Sequence, residues 1–335
     1  MHAGKSYRLG EFLFWTRRSV LRLTILGIIA TVLYEFFDLK WLAIPFTIIA
    51  LLGTATAFII SFRNQETYNR SWEARQIWGA TISASRSWAM MCRDFLHNED
   101  KSREFIYRHL AWLTALRYQL RTPRDWETVN KKHNEEYRQY YSVPETATSL
   151  EQELKKYISQ EELTAILSTK NKTTQLMSRQ SDALKRLREE GSLEEFRFLD
   201  MHSVLRGFSD HQGRSERIKN FPYPRQHATI NGLFVKLFCI LLPFSLLHEF
   251  DKLNEGMTGL FQGKMVWFVI PFSVLISWVF TSLEQVGEST ENPFEGSAND
   301  VPISQMSRNV EIDIREMLNE ADLPSPLQPM NNIIL

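Results

Sequence analysis

Two uncharged stretches of membrane-spanning length dominate the hydropathy pattern of the chain. Trp41–Phe62 contains twenty-two residues without a charge, and Met265–Leu283 contains nineteen. A helix needs about 20 mostly apolar residues to cross the hydrocarbon layer of a bilayer. Both stretches therefore predict transmembrane helices.

Two weaker apolar runs accompany them, Val20–Phe37 and Ala228–Phe250. Each carries a basic residue near one end, Arg22 or Lys236, whose long side chain can reach the headgroup region. We therefore expect four spans in two pairs, one pair within residues 20–62 and the other within residues 228–283.

The orientation follows from the basic residues. The segment 1–19 contains Lys5, Arg8, Arg17 and Arg18, whereas the short connection around Asp38 and Lys40 is nearly neutral. The positive-inside rule places the N-terminus in the cytoplasm. An even number of spans then places segments 63–227 and 284–335 there as well, in a multi-pass protein of the cell (inner or plasma) membrane.

Outside the spans, apolar residues recur at helical spacing. Residues 149–168 are typical, with Leu150, Leu154, Tyr157 and Ile158 on one side of an amphipathic helix. No stretch alternates as a strand would. The sequence therefore predicts an all-α membrane protein with a large helical cytoplasmic region.

Prolines predict breaks in that region near residues 121–126, 142–149 and 220–226, because proline removes a backbone donor and disfavours helix in the residue before it. One more amphipathic helix should follow the last span. The final residues, 323–335, contain three prolines and no period, and we expect them to be extended or mobile.

The charge balance and the absence of known motifs disfavour several functions. Lys and Arg together number 39, as do Asp and Glu, so no global basic field favours nucleic acid. The chain has no Gly-rich phosphate loop, no nucleophile elbow and no paired His or Cys at metal-site spacing, which disfavours an enzyme and predicts no cofactor. The spans carry almost no interior charge, which disfavours an ion-coupled transporter. A pore, an anchor or an adaptor remains, and a pore built from such apolar spans would require several copies around an axis.

Four segments resemble the bestrophin family, in particular its bacterial members: Ile44–Phe58, Phe62–Gly79, Gly213–Pro224 and Glu291–Ile303. The resemblance implies a homopentameric channel in the bacterial inner membrane, in contact with lipid and with permeant monovalent ions. Chloride or other small anions are the expected ions on family grounds.

The resemblance assigns a hydrophobic neck to Ile44, Ile48 and Leu52, which recur at i, i+4 and i+8 and would share one face of the second span. The alternative is an apolar stripe that faces lipid. A second, cytoplasmic aperture is expected at Phe196, with Leu193 and Leu199 as neighbouring candidates. Packing in a core is the alternative for all three.

The polar motif after the second span comprises Arg63, Tyr68, Arg70, Trp72, Glu73 and Arg75. We expect the same helix to leave the bilayer and continue through this motif. The aromatic residues suit the membrane interface, and the charged ones suit headgroups or ion pairs between helices. Direct ion binding by Arg63 or Arg70 is the alternative. Ser71 stands where family members often have a second tryptophan.

Calcium-regulated family members hold the ion in a clasp after the last span. Asn292 and Asp300 match two clasp positions, but Ser297, Ala298 and Asn299 stand where the aspartates would be. Most of the oxygen ligands that Ca²⁺ prefers are therefore missing. We expect weak or no calcium binding, with Asn292 and Asp300 serving to cap turns and helices instead.

Two alternatives to an anion channel stay open from the sequence. One is a channel of the same architecture for sodium or potassium. The other is a membrane-anchored helical adaptor that binds a cytoplasmic partner and passes no ions.

Overall fold

The computed structural model describes residues 1–129, 131–256, 258–259 and 261–335. These residues form α-helices and short 3₁₀ turns, and their β-structure is limited to isolated bridges, which confirms the all-α prediction. The helices are α1 (Leu9–Glu35), α2 (Phe46–Phe95), α3 (Glu99–Arg121), α4 (Lys132–Arg138), α5 (Pro144–Ala147), α6 (Leu150–Leu154), α7 (Gln160–Leu167), α8 (Lys172–Glu189), α9 (Glu195–Asn220), α10 (Arg225–Lys252), α11 (Val269–Ser289) and α12 (Ile303–Met317).

Helix α2 is the longest element, at 50 residues. It contains the apolar stretch from Phe46 onward and the polar motif that follows it, so the prediction that one helix continues from the apolar stretch through the motif is confirmed. Within the apolar part of α2, up to Phe62, the residues buried in the subunit are Ile49, Gly53, Thr56 and Ile60, which recur at intervals of three or four. They form a narrow stripe, and most of the apolar surface of α2 lies outside it.

Three segments of the described residues are long and apolar enough to cross a membrane: Lys40–Phe95, Arg225–Glu255 and Met265–Ser289. The first predicted span lies in α1, which ends at Glu35, before the last two residues of that span. Between Arg22 and Glu35, α1 has only twelve uncharged residues. A fourth span therefore stays a proposal.

The chain divides into two compact units. The first, here called the span unit, comprises Ser6–Asn69 and Pro222–Glu291. In it α1, α10 and α11 pack against one another, and Ile49 and Ile60 of α2 join the same apolar cluster. Phe238 of α10 packs against Phe280 of α11 with the rings tilted and their centroids 4.4 Å apart. The apolar segments are thereby held together by aromatic and aliphatic contacts.

The second, here called the body unit, comprises Met1–Lys5, Arg70–Phe221 and Asn292–Leu335. Its core is rich in large aromatic side chains, and Trp78, Trp88, Trp112, Phe105 and Phe208 are all fully buried. Helix α3 contributes most to this core, because it packs against α6, α8, α9 and α12. The body unit thus has an extensive hydrophobic core of its own.

The helix breaks follow the prolines in the three predicted places, and one predicted helix is divided in two. Helix α3 ends at Arg121, and α9 and α10 are separated between Asn220 and Arg225, as predicted. The third predicted break separates α4 from α6, and the four-residue helix α5 begins inside it at Pro144. The single helix predicted over residues 149–168 is two helices, α6 and α7, because the Ser159 hydroxyl accepts the Glu162 N–H and begins a new helix.

The segment 323–335 has no helix, as predicted, but its end is packed. Ile333, Ile334 and Leu335 are buried, and Ile333 and Leu335 form an apolar cluster with Tyr141 and Val143. The expectation of mobility is therefore wrong for these last residues, because their side chains are apolar and find a partner surface within the body unit.

Candidate functional site

The predicted neck residues lie at the beginning of α2. The helix starts at Phe46, so Ile44 lies before it, and the Ile44 N–H donates to the carbonyl of Phe244 at 3.3 Å. The prediction that Ile44 shares a helical face with Ile48 and Leu52 is therefore wrong. Pro45 is the physical reason, since proline disfavours helix in the residue that precedes it.

The three residues also differ in exposure within the subunit. Ile48 is 57% exposed, whereas Ile44 and Leu52 are partly buried against the apolar cluster of the span unit. One turn further on, the hydroxyls of Thr54 and Thr56 donate to carbonyls of their own helix at 2.9 and 2.7 Å. Because Ile48 is the most exposed of the three predicted neck residues, it is the one best placed to contact a surface outside the subunit.

Arg63, the first residue of the polar motif, forms a buried ion pair. Its guanidinium donates to Glu291 Oε2 at 2.6 Å, and both residues are almost fully buried. Arg225 donates to the other oxygen of the same carboxylate at 2.9 Å. A buried charge requires a partner of this kind, so the contact holds Arg63 within the span unit.

Arg70 and Glu73 contact helix α9. The Arg70 guanidinium donates to the carbonyls of Ile218 and Phe221 at 3.0 and 2.9 Å, at the end of the helix where carbonyls have no intrahelical partner. Glu73 accepts from Arg217 at 2.6 Å. Arg63 and Arg70 thus both have partners within the chain, as expected of residues that form contacts between helices.

The remaining members of the motif lie on the surface. Tyr68 and Trp72 are 56% and 49% exposed, and Arg75 is also exposed. Amphipathic aromatic rings of this kind suit a membrane interface. Their proposed role there stays a prediction.

The three residues predicted to form the cytoplasmic aperture differ in burial. Leu193 precedes α9 and is buried in the core of the body unit, so it cannot line an opening. Phe196 and Leu199 lie on α9 and are 74% and 51% exposed. An aperture formed by these two residues stays a prediction.

Asp300, a predicted clasp residue, closes the turn after α11. Its Oδ1 accepts the N–H groups of Phe294 and Val301 at 2.8 and 2.6 Å, and its Oδ2 accepts that of Gly296 at 2.7 Å. Phe294 and Gly296 have positive φ angles of 74° and 84°, and the carboxylate holds the backbone in this conformation. Arg121 completes the arrangement by donating to Oδ2 at 2.5 Å.

This arrangement does not fit a calcium ion. Ca²⁺ requires six to eight oxygen ligands, but the Asp300 oxygens already accept three amides and a guanidinium whose positive charge would repel a cation. Asn292 is 6% exposed, and its amide atoms make no hydrogen bond to the residues that the structure describes. Within those residues no group of three His, Cys, Asp or Glu side chains could hold a metal. Weak or absent calcium binding stays a prediction.

Sequence reasoning missed the buried ionic groups around this turn. Arg117 donates to Glu145 at 2.6 Å, and Lys219 pairs with Glu127. Glu295 accepts from the amide and hydroxyl of Thr128 at 3.0 and 2.9 Å, yet burial raises its pKa to about 8. No local spacing connects these residues, which lie on different helices and turns. Their pairing becomes visible only in the folded chain.

Comparisons with known families and proteins point in one direction. The family model described as "Bacterial/Fungal Bestrophin protein" matches residues 10–316. The voltage-dependent anion channel-forming protein YneE of Salmonella typhimurium is 30% identical over 308 residues, which cover 92% of this chain and 87% of that protein. Its counterpart in Escherichia coli K12 is 29% identical over 297 residues, which cover 88% and 83%.

Solved structures give the same result for the fold. The crystal structure of a bacterial bestrophin homologue from Klebsiella pneumoniae matches with a TM-score of 0.75 at 25% sequence identity. The match covers 90% of this chain and 98% of that one. The similarity therefore extends over nearly the whole described fold.

Proposed function

The chain belongs to the family of bacterial and fungal bestrophins, and on that premise we propose that it forms a homopentameric anion channel. The observation that carries the proposal is the similarity, over about nine tenths of the chain, to proteins named as anion channel-forming. The proposed topology has four spans, with both termini in the cytoplasm of a bacterial cell and the protein in the inner membrane.

The exposed surface of α2 supports an assembly of several copies. In the most apolar 18-residue stretch of the segment Lys40–Phe95, only 22% is buried within the subunit. Small residues, Thr54, Ala55 and Ala57, are exposed there and allow neighbouring helices to approach closely. In the proposed pentamer one side of α2 meets a neighbouring subunit and another lines the axis.

We place the narrow neck at the start of α2, with Ile48 as its central ring and Ile44 and Leu52 beside it. A ring of apolar side chains offers no charge to an ion, so it gates by excluding water when narrow and conducts when wide. Such a neck discriminates poorly between anions and cations. Selectivity for anions must then arise elsewhere along the path.

Two alternatives are weaker. The names of the relatives refer to anion channels, which disfavours a sodium or potassium channel, and to channel formation, which disfavours an enzyme or an adaptor without ion flux. We further propose that calcium is not required for conduction, because Arg121 takes the place beside Asp300 that a cation would need.

Reversal potentials test the proposal. Purified protein in planar bilayers under a potassium chloride gradient should give a reversal potential close to that of chloride. A value close to that of potassium would favour the cation channel, and no current from an intact oligomer would favour the adaptor.

The neck is tested in the same bilayers by Ile48→Ala. Removal of the larger side chain from every subunit widens the ring and lowers the cost of filling it with water, so ion flux should rise. Phe46→Ala is the matched control, because Phe46 is 45% exposed and points to nearly the opposite side of the helix. An intact oligomer whose flux is the same for wild type and Ile48→Ala would remove Ile48 from the pore lining.

A further inference from the structure

We propose that the body unit binds a small organic anion, with two or more negative charges, in a cavity between α3, α6 and the start of α8. The cavity has a volume of about 670 Å³, and its lining includes Tyr118, Arg124, Leu150, Lys170, Asn171 and Lys172. This volume is within the range of small-molecule sites in proteins, roughly 300–1,000 Å³. The proposal goes beyond channel activity, since the cavity lies wholly within the body unit.

The lining of the cavity carries three positive charges and no carboxylate. Among the described residues, none of the three cations has a carboxylate oxygen within 4.0 Å. Lys172 instead donates to the Thr169 carbonyl at 3.2 Å, and Arg124 donates to Asn220 Oδ1 at 2.9 Å. Positive charges without counter-charges around one cavity favour an anionic occupant.

Two carboxylates that contact lining residues, those of Glu216 and Glu127, have other hydrogen-bond partners. Glu216 accepts from the side-chain amides of Gln119 and Gln212, each at 2.8 Å. Glu127, which accepts the backbone N–H of Arg124, is paired with Lys219. These contacts leave the charges of the lysines and the arginine available to a ligand.

The position of the two lysines at a helix N-terminus is a second, independent indication. Asn171 caps α8 by accepting the Thr174 N–H at 3.0 Å, whereas no acceptor within the described chain is recorded for the N–H groups of Lys172 and Thr173. Cations near this end of a helix oppose its dipole and destabilise it, whereas an anion there is favourable. Lys170 and Lys172 therefore destabilise the start of α8, and a bound anion would offset this destabilisation.

Apolar groups narrow the class of ligand. The Tyr118 ring, the Leu150 side chain and Ala115 form part of the wall, and the Tyr118 hydroxyl is held at 2.7 Å from the hydroxyl of Thr148. A single chloride ion would neither neutralise three cations nor fill this volume. A phosphate ester or a polycarboxylate with an apolar part meets both requirements.

Isothermal titration of the purified full-length protein with phenyl phosphate, and separately with phthalate, tests the site and distinguishes the two anion types. We expect saturable binding of at least one probe with a Kd below about 1 mM, weakened by added salt. The double variant Lys170→Gln/Lys172→Gln should bind at least about tenfold more weakly, because hydrogen bonds to charged groups contribute substantially to binding. Its melting temperature without ligand should equal or exceed that of wild type, since two cations leave a helix N-terminus.

Lys185→Gln is the matched control, because Lys185 lies on the same helix, is exposed and faces Glu189 instead of the cavity. Its Kd should equal that of wild type. Absence of saturable binding for both probes, or equal weakening in the control, would overturn the proposal. So would a change in oligomer mass in the double variant, which would mean that a neighbouring subunit occupies the cavity. The assay measures binding and not current, so its outcome is independent of the proposed channel activity.

Discussion

His109 of α3 shows how burial determines the chemistry of a single residue. Its ring lies in the aromatic core, with centroids 5.3 Å from Trp112 and 4.5 Å from Phe208, and its Nε2 is 2.9 Å from Ser85 Oγ. Burial lowers the pKa of His109 from 6.5 to about 3. The side chain is therefore neutral in the folded protein and serves packing.

This pKa predicts a contribution to acid destabilisation. Between pH 6.5 and about 3 the unfolded chain protonates His109 and the folded chain does not, so the free energy of unfolding falls as the pH is lowered. In His109→Phe, which retains an aromatic ring, the melting temperature should fall less between pH 7 and pH 4 than in wild type. Phe105→Leu is the control, since it alters the same core without removing a titratable group and should change the melting temperature equally at both pH values. Parallel curves for His109→Phe and wild type would contradict the prediction.

At the scale of elements, two glycines of α2 have opposite surroundings. A Cβ atom on Gly53 would lie 2.7 Å from Cε2 of Phe238, a ring already packed against Phe280. A Cβ atom on Gly79 would meet nothing within 4 Å. Gly53 is therefore required where the Phe238 ring of α10 approaches α2. Gly79 has no such neighbour and only adds backbone flexibility to the helix.

Alanine substitution should separate the two glycines. Gly53→Ala should destabilise the protein by about 1–3 kcal/mol, the usual cost of overpacking, whereas Gly79→Ala should stabilise it by up to about 1 kcal/mol through helix propensity. Thermal melting of the two variants, in the same detergent as wild type, provides the measurement. Equal shifts of the same sign would show that α2 and α10 do not pack as closely as described.

For the whole molecule, the proposed pentamer predicts the mass of the particle. Native mass measurement of the purified protein should give a particle of five times the 39.3 kDa chain. The adaptor alternative instead predicts a monomer or a dimer. A particle of that smaller size, stable across detergents, would contradict the pentamer and with it the neck.

Local sequence patterns were enough to predict the helical class, the long helix α2, the three proline breaks and the family. These depend on hydrophobic periodicity, on uncharged length and on proline, which act within a few residues of the chain. Spacing alone gave a wrong prediction at Ile44, because Pro45 keeps that residue out of the helix. It also failed at Ser159, because the Ser159 cap begins a second helix within one amphipathic pattern.

Which charged residues contact one another depends on how the helices pack. Arg63 and Glu291 are 228 positions apart, and Arg121 and Asp300 are 179 apart, yet each pair is buried and in contact. The cavity that gathers the three cations likewise draws on α3, α8 and the segments beside them. A buried charge requires a partner, but its identity depends on which helices pack together, and that is a property of the whole fold.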